Sequence, residues 1–102
     1  MPVKVKIPTM MQKLTGQKAE VSVKARSVRE MIDALDRKFP GAKVMLLGAD
    51  GAIHHHFIIA INDEDARYLD GLDSALSGND RVEIVASIAG GSAYGFNNFS
   101  TT

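Results

Sequence analysis

Arg81-Val82-Glu83-Ile84-Val85-Ala86, followed one residue later by Ile88-Ala89-Gly90-Gly91, is the stretch that decides the fold of this chain. Its first part alternates with a period of two, so Val82 and Ile84 face a core and Val85 faces the other way. This is a strong closing strand. The Ser77-Gly78-Asn79-Asp80 turn leads into it. Two glycines then follow, a thin strip of backbone with no side chains, able to enter a channel where bulkier residues would clash. Eleven more residues, Ser92–Thr102, come after the glycines, with aromatics but no charge.

Working outward, the start of the chain alternates in the same way. Val3, Val5 and Ile7 face inward, Lys4 and Lys6 face water, and Pro8 ends the strand. Glu20-Val21-Ser22-Val23-Lys24 alternates again, which makes an antiparallel hairpin with the first strand. In the connection, Thr15-Gly16-Gln17 signals a turn, and Met10, Met11 and Leu14 are expected to cover the edge of the core. Ser27 and Glu30 form a capping box at the start of a helix. Val28, Met31, Ile32, Leu35 and Phe39 make its apolar stripe, and Pro40-Gly41 stops it. Residues 42–53 show no regular period. Phe57-Ile58-Ile59-Ala60-Ile61 reads as a largely buried strand, Asn62–Asp65 as a polar turn, Ala66–Leu69 as a short return strand, and Leu72–Leu76 as room for one helical turn. Two strands, a helix and three strands form an α+β domain with a mixed sheet and one main helix on one face. The order suggests a β-grasp fold, with the first and last strands adjacent and parallel. Residues 1–89 are assigned to this domain and 90–102 to a flexible arm and tail.

Composition narrows the function. The chain has 102 residues, one domain's worth, with 45% hydrophobic residues. Twelve basic and twelve acidic residues cancel, so the electrostatic surplus needed for broad nucleic-acid binding is missing. Cysteine is absent, which excludes disulfides, thiolate metal sites and cysteine nucleophiles. No apolar run reaches bilayer length, so a cytoplasmic protein with no membrane partner is expected. No Gly-x-Ser-x-Gly elbow, Gly-x-Gly-x-x-Gly or phosphate loop is present, and the chain is not expected to be an enzyme. His54-His55-His56 invites a metal reading. On a strand, however, neighbouring side chains alternate, so only His54 and His56 could converge. The run is therefore expected to be a polar strand entry, and no metal site is assigned. Asn62–Asp65 lacks the spacing of a calcium loop. Opposite the helix, Ile58, Ala60, Val85 and Ile88 are candidates for a partner-binding patch.

The Phe57–Asp65 stretch, with Ile-Asn-Asp-Glu-Asp leaving a buried strand, and Gly78-Asn79-Asp80-Arg81-Val82-Glu83-Ile84 followed by Ile88-Ala89-Gly90-Gly91, resemble the ubiquitin-like sulfur carriers of the ThiS/MoaD superfamily. The likeness is greatest to the thiocarboxylate carrier of the cysteine pathway, and it covers residues 1–91. It implies chemistry at a main-chain carboxylate. A ubiquitin-activating-type enzyme would use Mg-ATP to adenylate Gly91, at the end of the Ala89-Gly90-Gly91 arm. A sulfur donor would then leave a thiocarboxylate, for use by a sulfur-accepting synthase or sulfhydrylase in cysteine, homocysteine or other sulfur-metabolite biosynthesis. No cofactor is bound by the carrier itself. Most members of the family end at the second glycine. Here Ser92–Thr102 follow, and the resemblance implies a proprotein cut between Gly91 and Ser92 by a JAMM-type metalloprotease. The small subunit of a molybdopterin synthase, a ubiquitin-like protein modifier and a non-reactive β-grasp interaction module stay open as alternatives.

Overall fold

The structure, a computed structural model, describes residues 2–86. Five strands form a single sheet: β1 (Pro2–Lys6), β2 (Glu20–Lys24), β3 (Phe57–Ile61), β4 (Glu64–Asp65) and β5 (Arg81–Ala86), in the order β2-β1-β5-β3-β4. β1 pairs antiparallel with β2, and Val5 stands opposite Val21. β1 and β5 are adjacent and parallel, with Val5 aligned to Val82. β5 and β3 are antiparallel, with Ile84 opposite Ile59. The predicted hairpin, the central parallel pair and the mixed sheet are thus all present.

One face of the sheet is dry. Val3, Val5, Val82, Ile84, Phe57, Ile59 and Ile61 are buried along with Val21 and Val23. Helix α1 (Val28–Lys38) lies against this face through Val28, Met31, Ile32 and Leu35, each no more than 1% exposed. Phe39 of the predicted stripe is partly buried and caps the helix, its N–H donating to the Leu35 carbonyl. At the other end Ser27 Oγ accepts from the Glu30 N–H at 3.1 Å. The return bond of the capping box reaches one residue further back than usual, with Glu30 Oε1 accepting from the Arg26 N–H at 2.9 Å.

A second short helix, α2 (Ala42–Leu46), occupies the stretch that shows no period in the sequence. Five residues are too few to establish one. Ala42 and Leu46, four apart, are buried, and the intervening Val44 is 82% exposed. A side chain of α1 starts this helix: Asp36 Oδ1 accepts from the N–H groups of Gly41 and Lys43, both at 3.1 Å. A carboxylate there satisfies amides that the helix itself leaves unpaired.

Three other local expectations are corrected. Met11 is buried and Leu14 half-buried, but Met10 is 55% exposed, because a 3-10 turn over Thr9–Met11 points the two methionines apart. The return strand is Glu64–Asp65 rather than Ala66–Leu69. Asp65 Oδ1 accepts from the Arg67 N–H at 2.9 Å and starts a 3-10 turn over Ala66–Tyr68, which takes those residues out of the ladder. The helical turn expected within Leu72–Leu76 is a 3-10 turn at Gly71–Asp73, and Leu76 beyond it is a buried core residue, tied through its N–H to the Arg26 carbonyl. The assigned boundary at residue 89 lies outside the described residues.

Ile84 sits at the centre of the sheet, 2% exposed, between β1 and β3. Truncation to alanine removes buried methylenes and leaves a cavity, so Ile84→Ala is expected to destabilise by about 2–5 kcal/mol. Val44→Ala, on the exposed side of α2, should stay within about 0.5 kcal/mol. Urea unfolding monitored by circular dichroism reads both, and comparable losses for the two would contradict this placement of the core.

Candidate functional site

The face of the sheet opposite α1 carries Ile58 and Ala60 on β3 and Val85 on β5. Ile58 and Val85 are register partners across the β3–β5 ladder, so their side chains lie side by side. Ala60 stands opposite Glu83, which is itself aligned with Lys6 and, through it, with Glu20. The face is therefore apolar at one end and charged over the rest. Ile58, Ala60 and Val85 are all half-buried. Three of the four candidate partner-binding residues thus lie on one face, toward the end of β5. The fourth, Ile88, lies outside the described residues, as do Ala89, Gly90, Gly91 and the Gly91–Ser92 bond.

The two sequence segments that carried the family likeness meet in space. Asn62 and Asp63 have φ of 52° and 72°, and Ile61 pairs with Glu64, so they are the centre of a two-residue hairpin whose both positions need positive φ. Asn62 then clasps the start of β5. Its N–H donates to the Arg81 carbonyl at 2.8 Å, and its Oδ1 accepts from the Arg81 N–H at 2.9 Å. Its Nδ2 donates to Asp80 Oδ1, also at 2.9 Å. Asp80 Oδ2 accepts from the Ser77 N–H at 2.8 Å, which closes the turn ahead of β5. Arg81 in turn pairs with Asp63 at 3.1 Å. The solvated turn read from the sequence is thus also a clamp that fixes where β5 begins. The backbone signal for it was present in the Asn-Asp pair, but its partners lie 18 and 19 residues away.

These bonds stabilise the charged form of Asp80. The Asn62 amide and then the Ser77 N–H hold its carboxyl below the ordinary value of 3.8. Since the folded value is depressed, the contribution to stability is present above 3.8 and is lost as pH falls through the lower folded value. Asn62→Gly keeps a residue tolerant of positive φ but deletes the amide. The cost expected near neutrality is about 1 kcal/mol, with a smaller further loss on acidification than in the parent chain. Urea midpoints at pH 7 and pH 3 would show this as about 1 kcal/mol at the first and less at the second. Equal differences at both would mean that Asn62 does not set the Asp80 titration.

His54-His55-His56 is placed differently from the sequence expectation. The three residues lie in a turn ahead of β3, so strand alternation does not separate them. Their rings cluster, with centroids 4.5 Å apart for His54 and His55, 4.6 Å for His54 and His56, and 4.2 Å for His55 and His56. The His56 N–H donates to His54 Nδ1 at 3.1 Å. Burial, and then the neighbouring His55 and His54, push the His56 imidazole below its ordinary 6.5. No described helix is long and apolar enough to cross a membrane.

Comparison with known proteins bears on the whole length of this platform. A model described as the ThiS family matches residues 5–91. Sulfur carrier protein CysO of Mycobacterium tuberculosis is 33% identical over 93 residues, covering 89% of this chain and all of the relative. The crystal structure of that CysO, described as an antigen, superposes with a TM-score of 0.81 at 31% identity, over 84% of this chain and 99% of the other. CysO in the crystal structure of the Amycolatopsis orientalis BexX/CysO complex gives a TM-score of 0.80 at 32% identity, over 87% and 99%. Sequence, β-grasp topology and chain coverage agree, and this chain belongs to the ThiS family of sulfur carriers, a carrier of the CysO type and not an enzyme.

Proposed function

We propose that this chain is made as a proprotein, is cut between Gly91 and Ser92, and then carries sulfur as a thiocarboxylate on Gly91. One observation carries the reading. The family match ends at Gly91, the second glycine, whereas this chain continues through Ser92–Thr102. In the uncut chain the Gly91 carbonyl belongs to a peptide bond and has no carboxylate to activate. A metalloprotease of the JAMM type would hydrolyse that bond, water supplying the carboxylate oxygen and the proton for the Ser92 amine.

The free carboxylate is a poor electrophile. An activating enzyme joins it to the α-phosphorus of ATP, with Mg²⁺ neutralising charge on the phosphates and pyrophosphate leaving. The resulting acyl adenylate has a good leaving group, and a sulfur donor displaces AMP to form the C–S bond. These steps belong to the partners; in this reading the carrier binds no cofactor of its own. What the carrier supplies is a platform and a tether, which present the sulfur at high effective concentration to whichever partner has docked. Docking by the face that bears Ile58, Ala60 and Val85, with Ile88 as a further candidate, is supported by the pairing of Ile58 with Val85 near the end of β5, the last described strand. That a relative was crystallised with a second protein, BexX, supports a carrier that works in complexes. The acceptor is proposed to be a synthase or sulfhydrylase of cysteine, homocysteine or related sulfur metabolism in the cytoplasm.

The test is ATP–pyrophosphate exchange with the activating enzyme. The 1–91 form is expected to support exchange and the 1–102 form to give none. Ile58→Arg in the 1–91 form should raise KM about tenfold, a loss of about 1.4 kcal/mol, without lowering its melting temperature. Equal exchange by both lengths would overturn the processing step, and an unchanged KM would place docking elsewhere.

A further inference from the structure

We propose that His54, His55 and His56 form a binding site for a divalent transition-metal ion, with zinc(II) as the physiological class and copper(II) or nickel(II) as competitors. This inference does not depend on the processing or sulfur chemistry proposed above. It starts from geometry that a run of three histidines does not ordinarily have. In an extended chain the middle ring points away from the other two. Here the turn brings one ligand nitrogen of each ring within 4.8 Å of the other two. Around a zinc ion, with Zn–N distances of about 2.0–2.1 Å, tetrahedral nitrogens stand about 3.3 Å apart. Rotating the imidazoles closes that gap without moving the backbone far.

The donor set selects the metal. Three imidazoles with no thiolate suit zinc, copper or nickel, and are a poor match for magnesium or calcium, which take oxygen ligands. Three nitrogens leave a tetrahedral ion one open position for water. Asp50 lines the same concavity as His54 and His55 and adds negative charge beside it. Gly48 lines the same concavity: a Cβ there would crowd Asp50 Oδ1 at 3.1 Å but would only touch His54 Cδ2, at 4.0 Å. The site also has a fixed place in the fold. His56 is followed by Phe57, the register partner of Ala86, so the cluster stands at the end of the sheet where β5 finishes.

Binding has a built-in marker. His54 Nδ1 now accepts the His56 N–H. Coordination through Nδ1 takes that lone pair directly. Coordination through Nε2 moves the ring proton to Nδ1, which then no longer accepts. Either way the His56 amide loses its partner when the ion binds.

The experiment is a zinc(II) titration of the full chain, followed by calorimetry, by the His56 amide resonance and by thermal unfolding. One ion per chain is expected, with a displaced His56 amide signal and a higher melting temperature, because an ion held by the folded arrangement stabilises it by mass action. His55→Ala, which removes an exposed ring without touching the His54–His56 bond, should weaken binding by at least the amount that loss of an outer-shell partner costs, about tenfold. His54→Ala combined with His56→Ala should abolish the melting-temperature rise. No binding, binding with an unchanged melting temperature, or parental affinity in His55→Ala would each overturn the proposal.

Discussion

The parallel pairing of β1 with β5 is the constraint on which the rest of the structure depends. Val5 and Val82, aligned across that pair, are almost fully buried, and Val3, Ile84 and Ile59 complete a dry row to either side. Two parallel strands cannot be joined by a tight turn, so the chain between them must leave the sheet and return. α1 makes that crossing over one face, and its apolar stripe is the cover that the face requires. With α1 on one side, no described helix covers the other face. The same pairing brings β5, the last described element, to the middle of the sheet rather than to an edge.

Much of this was legible because it depends on short periods. Val3-Lys4-Val5 and Val82-Glu83-Ile84 alternate, and each buried residue is where the alternation puts it. Ser27 and Glu30 gave the start of α1, and Pro40-Gly41 its end. What the sequence did not show depends on partners distant along the chain or on segments too short to have a period. α2 begins because Asp36, on another helix, satisfies its first amides. Ala66–Tyr68 leaves the ladder because Asp65 caps a 3-10 turn. The three histidines cluster because they lie in a turn, where the alternation of a strand does not hold.

The site was legible to a different degree. The glycine pair and its place after a closing strand are visible to the eye, and the family match ends at the second of them. The apolar pair of Ile58 and Val85 followed from alternation, and the register confirms that they are neighbours. Asn62 is the residue whose importance reading along the chain underrated. It links the β3–β4 hairpin to the start of β5, so a polar surface residue sets where the strand that precedes the glycine pair in sequence begins.

A carrier of this kind needs little chemistry of its own. The role proposed for it asks for a platform that stays folded, a face for partners and, after cleavage, a main-chain carboxylate on Gly91. The most direct test of that account is the intact mass of the protein recovered from its native cells. The account predicts loss of Ser92–Thr102, with one terminal oxygen replaced by sulfur in part of the population. A full-length, unmodified mass under sulfur-demanding growth would contradict it and would leave Gly90-Gly91 as a hinge.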